Sequence, residues 1–323
     1  MKKLYYATFE KGFSEVVKTI IKKQDKNSRI KTLYDSAVLF FADEHFKFRN
    51  SCFESAYVVL HNSFKQGVGA INIEMKNLLE KKDLKINLPR EVSSFKLSIL
   101  KENEKVIVDN HLKNALETML KRITKKTISF FAENELVLLS KQDGETLFMR
   151  GLDTGVEFKK LSSKFGLKPQ VAYLMNYLSN PTSNEAVVDA FAGKGIVSAV
   201  RVLSFSKANV IAANDNEEES KNLRKLSKSL KVATFSVLNY DFLTDAFPIK
   251  FIDKVVTDLT NIGFAQVENY RKFFEKCFNL NVKTVVVAVS KNYDLSKFVS
   301  NKYDIECEIE AQKINVYKLK IRV

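Results

Sequence analysis

The chain has 323 residues, of which 45% are hydrophobic, and it carries a formal net charge of +14. This hydrophobic fraction is typical of globular proteins and excludes a disordered chain, while the length indicates two or three domains. No apolar run reaches the roughly 18 residues of a membrane span, and Glu10 and Lys11 interrupt any signal-like segment, so we expect a cytoplasmic protein.

The basic excess is spread over both halves of the chain and suits a polyanionic partner such as nucleic acid. Lysine codons are also frequent in AT-rich genomes, which is a second explanation of the same charge. The three cysteines and three histidines are scattered, without a C-x-x-C pair or a metal-ligand spacing. We therefore expect neither a disulfide framework nor a metal site.

Residues 1–62 alternate short strand and helix patterns. Leu4–Phe9 is rich in aromatic residues, and Phe13–Ile21 places its apolar residues on one helical face. Residues 30–33 and 36–41 then have the pattern of a hairpin. This order of elements predicts a ferredoxin-like α+β domain.

Residues 63–150 give a second pattern of strands and helices. A strand is predicted over Phe95–Leu100, Asp109 can cap the helix that follows, and Asp143-Gly144 joins two strands in a hairpin. A basic cluster, defined by Lys121, Arg122, Lys125 and Lys126, lies at the end of the predicted helix. Its charges either compensate the helix dipole or contact phosphates of a nucleic acid, and the sequence leaves both open.

Residues 151–323 show a regular alternation of strands and helices. Five strand patterns are separated by helices, and the chain then ends in two consecutive strands. We predict a seven-stranded Rossmann-like α/β sheet with a C-terminal antiparallel hairpin, in which ligands bind at the carboxyl ends of the parallel strands. The five patterns centre on Val187, Val210, Phe235, Val255 and Val285.

A glycine-bearing turn, Asp189-Ala-Phe-Ala-Gly-Lys-Gly195, follows the first of these strands, and the second strand ends in Asp215. Glycines let backbone approach a ligand closely, and an acid one strand later accepts hydrogen bonds from ribose hydroxyls. The turn lacks the third glycine of the dinucleotide fingerprint. The pair resembles motifs I and II of the class I S-adenosylmethionine-dependent methyltransferases.

The whole chain resembles the THUMP-domain-containing RNA methyltransferases that modify guanine N2 in ribosomal or transfer RNA. Tyr5–Gly12 is similar to the start of that family, and Leu167–Ala172 to its segment before motif I. The resemblance implies a ferredoxin-like domain over residues 1–62, a THUMP-like RNA-binding domain over 63–150 and a methyltransferase domain over 151–323. It also implies S-adenosylmethionine as cofactor and structured RNA as partner.

In such a site Asp189 and the glycine turn would hold the methionine end of the cofactor. Asp215 would bind the ribose, and Asp241 the adenine amino group, with Phe242 against the ring. A turn-capping role is the alternative for Asp189 and Asp215, and a helix N-cap is the alternative for Asp241. The cofactor-binding residues implied by the resemblance are Asp189, Phe191, Ala192, Gly193, Gly195, Asp215, Asn216, Asp241 and Phe242.

The motif that contacts the target base in this family departs from the family pattern here. Relatives have aspartate, leucine, proline, an aromatic residue and glycine, whereas this chain has Asp258-Leu-Thr-Asn-Ile-Gly263, with Phe264 as the nearest ring. Proline would give rigidity, and the aromatic residue would stack on an extruded base. We expect Asp258 and Asn261 to be the catalytic residues.

Three functions are open to this chain, and the altered motif separates the first two. The first is an RNA methyltransferase acting on an exocyclic base nitrogen, taken as guanine N2. The second is a catalytically silent relative that retains RNA binding. The third is a methyltransferase of proteins or small molecules.

Overall fold

The computed structural model describes residues 2–64, 69–81, 83–102, 104–155, 161, 166–205, 208–249, 251–260, 267–299 and 302–322. In these ranges the chain forms two units, each built on one β-sheet. The elements of the N-terminal unit are β1 (Lys2–Thr8), α1 (Ser14–Gln24), β2 (Arg29–Leu33), β3 (Ala37–Asp43), β4 (Ser55–Phe64), α2 (Ala70–Glu80), β5 (Ser94–Lys101), β6 (Glu104–Lys105), α3 (Asn110–Thr124), β7 (Thr127–Ile128), β8 (Glu135–Ser140) and β9 (Glu145–Leu152). Those of the C-terminal unit are α4 (Pro169–Leu178), β10 (Ala186–Asp189), α5 (Ile196–Ser204), β11 (Asn209–Asn214), α6 (Glu217–Leu230), β12 (Phe235–Asn239), β13 (Lys254–Asp258), α7 (Val267–Asn279), β14 (Thr284–Ser290), β15 (Tyr303–Glu310) and β16 (Ile314–Ile321).

The N-terminal sheet has nine strands in the order β2-β3-β1-β4-β9-β8-β5-β6, with β7 paired to β5. The predicted succession of strand, helix, strand and strand is present at its start. Helix α1 covers the sheet because Val17, Ile20 and Ile21 recur at helical spacing and are buried. The predicted capping of α3 is also present, since the Asp109 carboxylate accepts hydrogen bonds from the backbone N–H groups of His111 and Leu112.

Strand β4 joins the two domains predicted within this unit. Tyr5 of β1 lies opposite Val58 of β4, and Val58 in turn lies opposite Arg150 of β9. The boundary predicted between residues 62 and 63 therefore falls inside a strand that is hydrogen-bonded on both sides. The division at this point stays a prediction, but both parts contribute to one sheet.

The N-terminal sheet is strongly curved. Strands β1 and β8 are separated by β4 and β9, yet Tyr6 and Leu139 are buried in the same apolar cluster. The Tyr34 hydroxyl also donates to Asp143 Oδ2 over 3.0 Å, which joins the β2–β3 turn to the β8–β9 turn. The opposite face carries α1 near β1 and β3, and α2 with α3 near β5 and β8.

The C-terminal sheet has seven strands in the order β12-β11-β10-β13-β14-β16-β15. The first five are parallel, and β16 and β15 are antiparallel, so the predicted fold class is confirmed. Strand residues alternate between the faces: Val187 packs with α4 and α5, and Val188 packs with α7. The sheet is thus covered by helices on both faces, which leaves the strand ends as the place for a ligand.

The two units pack tightly against each other. One apolar cluster runs from Phe13 in the N-terminal unit to Tyr173 of α4. Lys168 Nζ donates to Glu10 Oε2 over 2.8 Å and to Glu54 Oε1 over 2.7 Å, linking the start of α4 to the N-terminal unit. These contacts hold the two units as one packed body.

Candidate active site

The buried carboxyl group of Asp189 ends the first strand of the C-terminal sheet, β10. Its Oδ2 accepts a hydrogen bond from Ser198 Oγ in α5, and its Oδ1 accepts one from Thr257 Oγ1 in β13, each over 2.9 Å. Burial raises its pKa to about 7, although both hydroxyl bonds lower it, and the nearby Asp258 carboxylate raises it further. Asp189 is thus held rigidly between two elements and is easily protonated.

The glycine turn after Asp189 serves two purposes. Gly193 has φ +47°, and a Cβ added there would meet nothing within 4 Å, so its backbone faces open space. Gly195 has φ +78° and precedes α5, and a Cβ there would lie 2.5 Å from Leu223 Cδ2 of α6. The glycine at 193 therefore keeps a cavity open, while the glycine at 195 permits close helix packing.

A cavity of about 230 Å³ lies at the carboxyl ends of β10 and β13. The predicted site residues that line it are Asp189, Phe191, Ala192, Gly193 and Asp258. Sequence reasoning missed the other lining residues, which are Gly166, Leu167, Lys194, Ile196, Val197 and Glu219. The cavity thus brings together three carboxylic acids and the backbone of the glycine turn.

The residues predicted at the end of the second strand, Asp215 and Asn216, do not line this cavity. Asp215 is exposed and is not among the lining residues, and the Asn216 side chain caps α6 by accepting from Glu219 N over 3.0 Å. The acid that reaches the cavity is Glu219, whose Oε2 accepts from Asn214 Nδ2 over 2.7 Å. The sequence signal for it was a helix start with a cap residue and a glutamate three residues later.

The residues predicted at the adenine end lie beside the cavity without lining it. Asp241 Oδ1 accepts from Leu243 N over 2.8 Å and its Oδ2 from Thr244 Oγ1 over 2.7 Å, which favours the capping interpretation. Phe242 is 1% exposed, and its ring packs edge-on 6.1 Å from that of Phe191. Phe242 therefore supports a cavity wall from within the core.

The acid of the altered motif, Asp258, ends β13 and faces the same cavity. Its Oδ1 accepts from Thr260 N over 2.9 Å and from Thr260 Oγ1 over 2.7 Å. Burial raises the pKa of Asp258, while these two hydrogen bonds lower it. Asn261 and Phe264 lie outside the described residues.

The predicted basic cluster ends α3, on the N-terminal unit. Lys121, Arg122 and Lys125 are exposed, and Lys126 Nζ donates to the backbone carbonyl of Arg90 over 3.2 Å. Across the ranges that the structure describes, none of the four forms an ion pair. Two aromatic residues that follow the basic cluster in the chain, Phe130 and Phe131, are 77% and 90% exposed.

Within the described ranges, no group of three or more His, Cys, Asp or Glu side chains could hold a metal ion, and no helix has the length and apolarity of a membrane span. Cys52, Cys277 and Cys307 are free thiols.

No protein-family model and no curated protein matches this chain, but solved structures do. The crystal structure of TrmN from Thermus thermophilus is 12% identical, with a TM-score of 0.78 and 100% of both chains covered. SMU.472, crystallised in complex with SAH, is 11% identical, with a TM-score of 0.75 and 100% and 99% covered. A predicted N6-adenine-specific DNA methylase from Listeria monocytogenes str. 4b F2365 is 12% identical, with a TM-score of 0.69 and 98% and 96% covered.

The chain has the fold of the class I methyltransferases. Within this methyltransferase fold, the cavity lies between β10 and β13, where the order of the parallel strands reverses direction. Such a reversal opens a crevice at the carboxyl edge of the sheet. The N-terminal unit is part of the same full-length match.

Proposed function

We propose that this protein is an S-adenosylmethionine-dependent RNA methyltransferase that modifies an exocyclic base nitrogen, guanine N2. The observation that carries this proposal is the acid-lined cavity at the reversal point of the methyltransferase fold. Three acids, Asp189, Glu219 and Asp258, line it beside Lys194, and this excess of acids fits a ligand with a cationic sulfonium and a cationic ammonium group. S-adenosylmethionine supplies an electrophilic methyl group when bound, so the protein mainly needs to bind and orient.

Asp189 and the glycine turn would hold the methionine end. Asp189 can accept a hydrogen bond from an ammonium group because each of its carboxylate oxygens retains acceptor capacity beside its one hydroxyl donor. The open space at Gly193 lets a ligand approach the backbone. The N-terminus of α5, which has no side-chain cap, offers N–H groups to the methionine carboxylate.

Glu219 is the acid best placed for the ribose hydroxyls, and Asp215 is the competing candidate. The hydrogen bond from Asn214 fixes Glu219 at the cavity wall, whereas Asp215 is exposed. The cavity, about 230 Å³, is smaller than the roughly 300 Å³ at the lower end of typical ligand pockets. An adenosine group would therefore extend from it over the strand ends, toward the loops that contain Asp215 and Asp241.

Asp258 would act on the target base. A base amino group needs an acceptor that orients its hydrogens, because its lone pair is delocalised into the ring. The raised pKa of Asp258 also suits uptake of the proton that this nitrogen loses on methylation. Asn261 stays a predicted partner in this step.

The N-terminal unit would bind the RNA, as a ferredoxin-like part over residues 1–62 and a THUMP-like part over 63–150, ahead of the methyltransferase domain over 151–323. The unpaired basic cluster at the end of α3 could neutralise phosphates, and exposed Phe130 and Phe131 could stack on unpaired bases. Lys105 Nζ lies 5.5 Å from the centre of the Phe130 ring and adds a cation to this surface.

One observation favours a catalytically silent relative instead. Thr260 occupies the position of the family's proline, and its hydroxyl donates to Asp258 Oδ1 over 2.7 Å, which uses part of the acceptor capacity of that acid. Labelled methyl transfer to unmodified total RNA, followed by mass spectrometry of the nucleosides, separates the two functions. Methylguanosine formed by the native protein and lost in Asp258→Asn supports the enzyme, and cofactor binding without transfer supports the silent relative.

A further inference from the structure

The N-terminal unit contains a cavity of about 460 Å³, separate from the one at the strand ends of the C-terminal unit. Its floor is a row of residues in register across three strands: Tyr5 of β1, Val58 of β4 and Arg150 of β9. Leu136 of β8 continues the row on the other side of Arg150. A guanidinium group therefore stands between apolar neighbours on the face that the helices cover.

The Arg150 side chain is half-buried and has no ion-pair or hydrogen-bond partner among the residues that the structure describes. Its loss of hydration lowers the pKa of its side chain. Two acids line the cavity, but both are engaged by other cations: Glu44 by Lys3 over 3.1 Å and Asp153 by Arg49 over 2.6 Å. A partly desolvated charge without a counter-charge is unfavourable, so an anionic ligand would stabilise Arg150.

The wall of the cavity adds a second cation and an aromatic surface. Lys47 is exposed at the rim and, like Arg150, forms no ion pair with any described residue. The rings of Phe46 and Phe48 lie 4.9 Å apart, and that of Phe48 lies 5.1 Å from Tyr5. A ligand that matches these features has an anionic group for the two cations and a flat apolar part for the rings.

We infer that this cavity binds one nucleotide of the RNA, with a phosphate against Arg150 and Lys47 and the base against Phe46. The inference rests on the proposed RNA substrate, because a nucleotide combines both chemical parts and the basic protein favours polyanions. Arginine suits the phosphate because its planar group binds two oxygens at once. A nucleotide held here would fix the register of the RNA relative to the methyltransferase cavity.

The test measures the affinity of fluorescein-labelled, in vitro transcribed transfer RNA by anisotropy at several salt concentrations. Arg150→Gln should weaken binding about tenfold, and it should reduce the salt slope by about one, as expected for one lost phosphate contact. Lys47→Gln, at an exposed position, should weaken RNA binding about threefold. The control is Arg224→Gln, an exposed arginine of α6 that should bind as the native protein does, within a factor of two.

If Arg150→Gln and Lys47→Gln both bind RNA with the affinity and salt slope of Arg224→Gln, the inference is overturned. The proposed function would still stand if the native protein binds RNA and cofactor. Calorimetry with S-adenosylmethionine provides that second readout, and all three variants should retain its affinity. Calorimetry with AMP tests a free nucleotide: AMP binding that Arg150→Gln abolishes, with unchanged RNA affinity, would overturn the assignment to RNA. A native protein that binds no RNA would overturn the RNA substrate itself.

Discussion

The buried carboxyl group of Asp189 suits a cationic ligand, but its ionised form is unfavourable for folding. It is 2% exposed, and its hydrogen-bond donors are the neutral hydroxyls of Ser198 and Thr257. Keeping it ionised is therefore unfavourable until a positive ligand arrives. An acid in this position is what a site for a cationic cofactor needs.

The stability of the protein should depend on pH through Asp189. Folding raises its pKa from 3.8 to about 7, so the folded state holds this proton more tightly than the unfolded state. Between these values the residue lowers the free energy of unfolding by up to about 1.4 kcal/mol per pH unit, and above pH 7 the effect is complete. The stability gained in Asp189→Asn should thus increase from pH 4.5 to pH 8.

Urea unfolding at these two pH values measures that gain. Asp215→Asn, which removes an exposed acid from the same unit, is the control and should show the same difference from the native protein at both pH values. A gain in Asp189→Asn that is constant or decreases with pH would contradict the assigned ionisation.

Glu219 and Asp215 offer a second test at this scale. Glu219→Gln keeps an acceptor for Asn214 Nδ2 but removes the charge at the cavity wall, so it should weaken S-adenosylmethionine binding about tenfold. Asp215→Asn should change it by less than twofold because Asp215 is exposed. Calorimetry compares the two, and the reverse order would return the ribose contact to Asp215.

The sequence could predict Asp189 and Asp258 because they end strands, and parallel strands end at a common edge. It could not identify Glu219, since only the exact start of α6 decides which side chain of the first turn reaches the cavity. It could not separate Phe242 as a core ring from Phe242 as a stacking ring, because both roles need the same residue type. Ser198 and Thr257 carried no signal, as hydroxyls occur throughout helices and strands.

At the scale of elements, one buried ion cluster ties β10, β13 and α5 together at the edge opposite to the cavity. Glu185, 4% exposed, forms ion pairs with Arg201 and Lys254, and its Oε2 also accepts from Thr182 Oγ1 over 2.8 Å. Burial lowers the pKa of Arg201 to about 10 and that of Lys254 to about 8. The cluster stabilises the sheet only while the carboxylate of Glu185 balances the charges of Arg201 and Lys254.

Glu185→Gln should therefore lower the free energy of unfolding by about 3–5 kcal/mol, because it leaves two buried cations without a counter-charge. The matched control is Glu217→Gln, which removes a surface pair with Lys221 at 3.3 Å and should cost less than about 1 kcal/mol. Chemical denaturation measures both. Equal effects of the two substitutions would show that the buried cluster contributes no more than a surface pair.

The packing of the two units depends on a glycine. Gly12 has φ +94°, and a Cβ there would lie 2.2 Å from the carbonyl oxygen of Glu310 in β15. Gly69 has φ +112° but open space around a Cβ, so Gly69→Ala measures backbone strain alone. Gly12→Ala should be destabilised by clearly more than Gly69→Ala in thermal unfolding, and equal losses would contradict a close approach of the units.

Over the whole molecule, strand patterns separated by helices, followed by two consecutive strands, were enough to predict the parallel sheet and its terminal hairpin. The curvature of the N-terminal sheet was not predictable, because it depends on contacts such as Tyr34 with Asp143 between strands far apart in the sheet. The N-terminal cavity could not be predicted for a similar reason. Its residues Tyr5, Val58 and Arg150 are far apart in sequence, and the strand register that makes them neighbours is not evident from the sequence.

Labelled methyl transfer from S-adenosylmethionine to unmodified RNA tests the central claim most directly. The native protein should form methylguanosine, and Asp189→Asn and Asp258→Asn should each reduce the rate at least a hundredfold, since both remove an acid from the cavity. Arg224→Gln should transfer at the native rate. A native protein that transfers no methyl group to any RNA, or transfers it equally well in both acid variants, would contradict the account.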